Sequence, residues 1–395
     1  MSYTARFNFV GTPVIPKEKK DAKRPFFKEF TKEDGKKKKK MISMTFGVKE
    51  SDNNMAFVEA FDSEQEVIKT FDSDNNKMDV DWDDRFDEDN ISAVANYRKY
   101  IVDLGEDFGG RQEFITAYDM IKHLKEWLPK YDGRVVVTGN FTRDWYAKKK
   151  QYYSKFRIQN VFAAPEDRKS RLMITAELFY NKKSLDDVDF DDTKKMTLDA
   201  YIEQYINKDE GRKFVPIQTV FSAAKYDLDN ERHKKLLDYK LKYLKVKNKK
   251  MVHIPWEMVL LRGAEEADFD ESMLTDAQKE QIELGIKTLD DFKPRGGILG
   301  DRIDEFRLFD PKLEGDYADG VLELSDEDQE DFDERIYDPP MDETLEEAKS
   351  KSKKSEEKKS AKSTKSKKED EDADEDEPPF DEDEKNDGVD DEDLF

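Results

Sequence analysis

The chain reads as a mainly β protein with a few helices, arranged as two β-rich blocks and an acidic tail. Three observations carry this. Apolar residues before position 320 arrive in short runs, many alternating with polar ones, which is the period of strands with one buried face. Wider helical stripes occur at only a few places. From Val321 onward charge dominates, and beyond Pro339-Pro340 the Lys/Ser and Asp/Glu blocks hold almost nothing apolar. A segment of that composition cannot bury enough surface to offset its ordering entropy, so 321–395 is expected to be a disordered tail.

Taken in order, Arg6–Ile15, Met41–Val48, Met55–Phe61, Ala93–Leu104, Arg134–Phe141 and Tyr152–Phe162 are expected strands. Between the fourth and fifth lies a helix, Glu113–Leu128. Its Phe114, Ala117, Tyr118, Ile121, Leu124 and Leu128 fall on one stripe, and Pro129 stops it. These elements define a first block, 1–165. A second, 166–320, repeats the plan. Leu172, Ile174, Ala176, Leu178 and Tyr180 alternate, and Leu198–Ile206 and Phe214–Ala224 read as extended. A helix over Glu231–Leu244 presents Leu236, Leu237, Leu241 and Leu244, and Met251–Leu261 is another strand. Thr275 with Gln278 forms a capping box that opens a further helix. The run from Gly300 to Phe309 ends the block.

The 395 residues carry a net charge of −24, with 42% charged and 36% hydrophobic residues. Where the charge sits decides what it means. Glu369–Phe395 holds 17 Asp/Glu against one Lys, Lys349–Lys368 holds 10 Lys against two Glu, and Val321–Ala348 holds 13 Asp/Glu against one Arg. That leaves −4 for residues 1–320, so the folded part is nearly neutral. The absence of cysteine excludes a disulfide scaffold, a thiol nucleophile and a cysteine-ligated zinc site, and it fits a reducing cytoplasm. Three histidines leave little material for a zinc enzyme or a Ser-His-Asp triad. No apolar run approaches the roughly 20 residues needed to span a bilayer, and the N-terminus lacks a signal peptide's apolar core. Asp72–Asn76 begins like a calcium loop, but Lys77 stands where glycine is required. No phosphate loop, dinucleotide fingerprint or HExxH motif occurs, and no cofactor is expected.

Two stretches combine cations with flat rings. From Thr138 to Phe162 two strands flank a polar turn at Lys148–Lys150. In the second strand Tyr153, Lys155 and Arg157 point opposite to Phe156 and Ile158. The surrounding Arg143, Trp145, Tyr146, Lys148, Lys149, Lys150 and Tyr152 add to the same chemistry. Between the first two strands, Lys17–Lys40 holds 12 Lys/Arg against five Asp/Glu. It includes the run Lys36, Lys37, Lys38, Lys39 and Lys40, with Phe26, Phe27 and Phe30 nearby. Cations that track phosphates and rings on which bases stack are what single-stranded nucleic acid needs.

This strand order, with one helix before the last two strands, resembles the oligonucleotide-binding barrel, in which that helix joins strands three and four. In that barrel the two basic stretches are the gripping loops between strands one and two and between strands four and five. The terminus Asp390, Asp391, Glu392, Asp393, Leu394 and Phe395 resembles the acidic, Phe-tipped tails of bacterial and phage single-stranded DNA-binding proteins. Leu394 stands where bacterial tails usually carry Ile-Pro. The length and second block are closer to a phage-encoded member than to the compact bacterial form. The resemblance implies a non-enzymatic protein that binds single-stranded DNA with little regard to sequence and protects exposed template. It also implies recruitment of replication, recombination and repair proteins such as a polymerase, helicase or primase. There the Phe tip enters an apolar pocket rimmed by basic residues while the acidic run steers encounter. The competing reading is an acidic-tailed scaffold or chaperone of basic proteins, and a metal-dependent nuclease built on Asp79, Asp81, Asp83 and Asp84 stands behind both. Oligomeric state is not set by the sequence.

Overall fold

The computed structural model describes residues 4–17, 24–34, 37–267, 274–292 and 298–339. It is mainly β, with most strands joined in one 15-stranded sheet. The first part of the chain forms β1 (Arg6–Val14), β2 (Phe27–Asp34), β3 (Lys37–Ser51), β4 (Asn54–Ser63), β5 (Val67–Phe71) and β6 (Lys77–Asp81). It continues with α1 (Glu88–Ala93), β7 (Tyr100–Asp103), β8 (Arg111–Phe114), α2 (Ala117–Trp127), β9 (Val135–Tyr146) and β10 (Gln151–Ala163). Next come β11 (Arg171–Tyr180), β12 (Leu185–Asp186), α3 (Phe190–Thr193), β13 (Lys195–Asn207), β14 (Gly211–Ser222) and α4 (Glu231–Leu244). The described chain closes with β15 (Val252–Ala267), α5 (Asp276–Glu283), α6 (Leu289–Phe292), β16 (Ile298–Pro311), β17 (Leu322–Glu323) and α7 (Asp326–Glu334).

Strand pairing runs round two circuits. In the first, β1 pairs antiparallel with β3, β3 with β4, β10 with β9, and β9 with β1. The remaining link is parallel, β4 to β10 at Glu59↔Arg157. In the second, β11 pairs with β13, β13 with β14, β16 with β15, and β15 with β11, all antiparallel. Again one parallel link completes it, β14 to β16 at Val220↔Arg307. Both circuits thus run first, second, third, fifth, fourth and back to first, with a helix between third and fourth: α2 in one, α4 in the other.

Alternation sorts the side chains. Phe7, Phe9, Phe46, Phe141 and Phe156 are buried within the first circuit, and Leu178, Tyr180, Ile202, Phe221 and Trp256 within the second. All belong to one continuous apolar cluster, carried across by Phe141 against Phe306 of β16 at 5.5 Å. The circuits are joined along β1 and β11, which pair antiparallel from Arg6↔Thr175 to Val10↔Arg171. Two side-chain amides tie them reciprocally. Asn54 donates to the Leu260 carbonyl (3.0 Å) and accepts from Arg262 N (2.8 Å). Gln204 accepts from Arg143 N (2.9 Å) and donates to the Arg143 carbonyl (3.0 Å). Each reaches the fourth strand of the other circuit. Gly263 meets Asn54 at the first of these ties, and a Cβ there would lie 1.8 Å from the Asn53 carbonyl oxygen. Only glycine permits that approach.

Several expectations shift. Of Ala93–Leu104 only Tyr100–Asp103 is strand, because α1 ends in this stretch. That helix is started by Asp87, whose carboxylate accepts from Asp89 N and Asn90 N, with two acidic residues in its first turn. The helix expected from Glu113 begins at Ala117, capped by Thr116, and the residues before it pair as β8 with β7. The Asp62 carboxylate accepts from Tyr118 N (2.9 Å) in the first turn of α2, fixing the helix to β4. The expected tail boundary at 320 falls before β17 and α7, which fold onto the second circuit; Phe332 of α7 is fully buried.

Candidate nucleic-acid interface

The lysine run is strand rather than loop. Lys37–Lys40 open β3 and pair with β2, Lys37 opposite Asp34, Lys38 opposite Glu33, Lys39 opposite Lys32 and Lys40 opposite Thr31. The ammonium of exposed Lys40 lies 3.7 Å from Glu64. Lys36 lies outside the described residues. The result is a two-stranded arm, β2–β3, projecting where a basic loop is expected.

The second basic stretch does form a hairpin. β9 and β10 pair from Val135↔Ala163 to Tyr146↔Gln151. Its turn is closed by Lys149 N to the Tyr146 carbonyl (3.2 Å) and Lys150 N to the Ala147 carbonyl (3.3 Å). Lys148, Lys149 and Lys150 are exposed at its tip, Lys150 in the left-handed region at φ 53°.

The hairpin's rings divide between two faces, which corrects the expectation that they act together. On one face Tyr146 and Tyr153 meet edge to face at 5.8 Å, and Lys155 pairs with Asp144 at 2.9 Å. Arg157 continues this row, exposed beside Glu59 of β4. On the other face Trp145 and Tyr152 meet at 5.0 Å, and Tyr152 packs against Tyr337 at 6.5 Å. The Arg143 guanidinium lies 5.8 Å from both Tyr152 and Phe306. Burial holds it down to about 10, with Asp304 acting in the opposite direction, and burial pushes the Tyr152 hydroxyl up to about 12. The Trp145 indole nitrogen is buried and has no hydrogen-bond partner among the described residues. Arg143, Trp145 and Tyr152 therefore belong to the contact between hairpin and second circuit.

Sequence reasoning missed an aromatic row beside the hairpin. Along β4, Ala56, Val58 and Ala60 are buried inward while Met55, Phe57, Glu59 and Phe61 stay part-exposed on the outer face. The Arg24 guanidinium sits over Phe57 at 5.6 Å. Phe30 of β2 lies 6.4 Å from Phe61, with the Lys28 ammonium 5.1 Å from its ring. The signal was present as a strand apolar on both faces. Such a strand gives alternation no side to choose.

Elsewhere, the Asp72 carboxylate is occupied by its own turn, accepting from Asp74 N (2.9 Å), Asn76 N (2.8 Å) and Asn76 Nδ2 (3.0 Å). These bonds hold its pKa below the usual carboxylate range. Asp390, Asp391, Glu392, Asp393, Leu394 and Phe395 lie outside the described residues. No helix among the described residues is long and apolar enough to cross a membrane.

No family model matches the chain, and no curated protein matches it. Among solved structures it is similar to a deletion mutant of the single-stranded DNA binding protein from Thermus aquaticus, with 9% identity and a TM-score of 0.26. The likeness covers 65% of this chain and 87% of that one. It is too distant for fold or function to follow from it.

Proposed function

We propose that this protein is a non-enzymatic binder of single-stranded DNA, and that its two circuits are oligonucleotide-binding barrels. The observation that carries the reading is a row of part-exposed rings on the outer face of the first circuit, with a basic arm beyond each end of β4. The β2–β3 arm links strands one and two, and the β9–β10 hairpin links strands four and five. Phe57, Phe61 and Phe30 lie on the outer face of the strands between, continued toward Arg157, Tyr153 and Tyr146. Cations on both arms track phosphates, and rings on which unpaired bases stack contribute roughly 1–3 kcal/mol each. Duplex DNA hides the faces of its bases, so the site favours single strands.

The acidic terminus 369–395 belongs to this reading as a docking segment. Phe395 supplies the buried anchor, and the acidic run before it steers encounter with a basic surface on replication, recombination or repair proteins. The expected setting is the cytoplasm. The test is anisotropy of labelled oligo(dT) against a duplex of equal length, across a salt series. Preference for the single strand is expected, with a log K versus log salt slope that falls by roughly 0.7 for each phosphate contact removed from Lys37–Lys40 by Gln substitution. Equal affinity for duplex, or a slope unmoved by those substitutions, rejects the assignment.

A further inference from the structure

The outer face of the second circuit carries rings in the same position as the first, but it is covered. Phe214 is the fourth residue of β14, as Phe57 is of β4, and each stands third in its circuit. A guanidinium sits over each ring, Arg24 over Phe57 at 5.6 Å and Arg335 over Phe214 at 4.9 Å. Around Phe214 lie Phe179 of β11, at 4.9 Å, and Tyr201 of β13, paired across from Phe179. This cluster is separate from the interior core and faces outward.

What covers it is α7. Seven of that helix's nine residues are acidic, all of them exposed, and the one fully buried side chain is Phe332. The Phe332 ring lies 4.4 Å from Phe214 at a tilt of 42°, edge to face with Tyr201 at 5.4 Å and near-parallel to Phe179 at 6.0 Å, filling the space over the sheet face that a base would take. The carboxylates run beside it, with Asp326 2.6 Å from the Lys250 ammonium. Other ties are few. Gln329 accepts from Met251 N (2.7 Å), and Arg335 joins Glu203 and Asp331. Carboxylates spaced three and four apart repel one another along a short helix, so α7 is poorly stable apart from this contact.

We propose that the outer face of β11, β13 and β14 is a second binding face for single-stranded nucleic acid, and that α7 closes it by imitation. Phe332 takes the place of a base and the acidic side chains the place of phosphates. Displacing the helix exposes Phe179, Tyr201 and Phe214 beside Lys250. The inference rests on the reading of the first circuit as a single-strand binder. It adds that the full chain holds a second, latent site.

The experiment uses the full chain and oligo(dT) of about eight nucleotides, within the span of one such barrel. Stoichiometry is read by native mass spectrometry, and contacts by photocross-linking to 5-iodouracil. The unaltered protein should take one oligonucleotide, cross-linked within β4, β9 or β10. Phe332→Ala should take two, with new cross-links in β13 or β14 and unchanged affinity for the first. Because Phe332 is fully buried, Arg335→Ala provides a second route that loosens the helix without opening a cavity, and cooperative melting confirms the fold of either. A folded variant that still binds one oligonucleotide, with no cross-link between 171 and 222, overturns the second site while leaving the first intact. If the unaltered protein binds none, the reading of the first circuit fails instead.

Discussion

The two circuits share a pairing order and a helix position, yet they present opposite surfaces. Residues 1–165 carry a net charge of +2 and residues 166–320 carry −6. The first circuit extends its first-to-second connection into the β2–β3 arm, while the second spends the same connection on β12 and α3. The outer face of β4 keeps Phe57 and Phe61 part-exposed, whereas that of β14 lies under an acidic helix. Topology is therefore common property, and the difference in chemistry resides in what is attached to it. A pairing order alone assigns no site; the arms, the outward rings and the strap do.

The comparison can be broken most severely at the joint. Gly263→Ala drives a methyl to within 1.8 Å of the Asn53 carbonyl oxygen, and the backbone of one circuit must yield. A loss of more than about 4 kcal/mol is expected in urea unfolding. Gly211→Ala, at φ 63° with nothing within 4 Å, is the control and should lose about 1 kcal/mol.

Next come the two halves of the core. Phe156→Ala in the first circuit and Trp256→Ala in the second should each cost roughly 3–5 kcal/mol. Because one apolar cluster spans both, each variant should still unfold in a single transition by tryptophan fluorescence and by circular dichroism. Two separated transitions would make the circuits independent.

The hairpin's two faces can be told apart by binding. Tyr146→Ala with Tyr153→Ala should weaken oligo(dT) binding by roughly 1–3 kcal/mol per base unstacked, leaving the melting temperature nearly unchanged. Trp145→Ala with Tyr152→Ala should do the reverse, lowering stability through lost contact with Tyr337 and the second circuit. Equal effects of the two pairs on binding would place both faces on the strand.

The smallest effect concerns His123 of α2, whose ring lies between Phe114 at 5.5 Å and Trp127 at 6.4 Å. Burial lowers its pKa below 6.5, with Glu126 partly opposing. The unfolded chain therefore takes up the proton first as pH falls through 6.5, and stability declines from there down to the lowered value. His123→Phe should flatten that shallow decline in a pH series of melting temperatures.

Much of the fold was legible. The helix over Glu231–Leu244 and the strands near Arg6, Arg171 and Gln151 announce themselves by periodicity, which depends on local sequence alone. β2 did not, since Phe27–Asp34 mixes charge and rings without clean alternation and gains its partner only by pairing with the lysine run. The two-faced hairpin was half read. Parity grouped Tyr153, Lys155 and Arg157 correctly, but nothing local says that the opposite face, with Trp145 and Tyr152, meets another part of the chain. Helix α7 was hidden by averaging: its acidic composition reads as solvated tail, and one phenylalanine fixes it. The ties made by Asn54 and Gln204 reach 206 and 61 residues along the chain, beyond any pattern of neighbours.

The antiparallel pairing of β1 with β11, first strand against first strand, has the geometry of an isologous two-fold contact. The chain thus encloses within itself what two identical subunits would form by association. Subunits of a homodimer must change together, since one gene writes both surfaces. Here each half is encoded separately while the joint remains fixed, so one surface can turn basic and the other acidic at no cost to assembly. Nor does the union of the halves depend on protein concentration, because the partner is always present on the same chain.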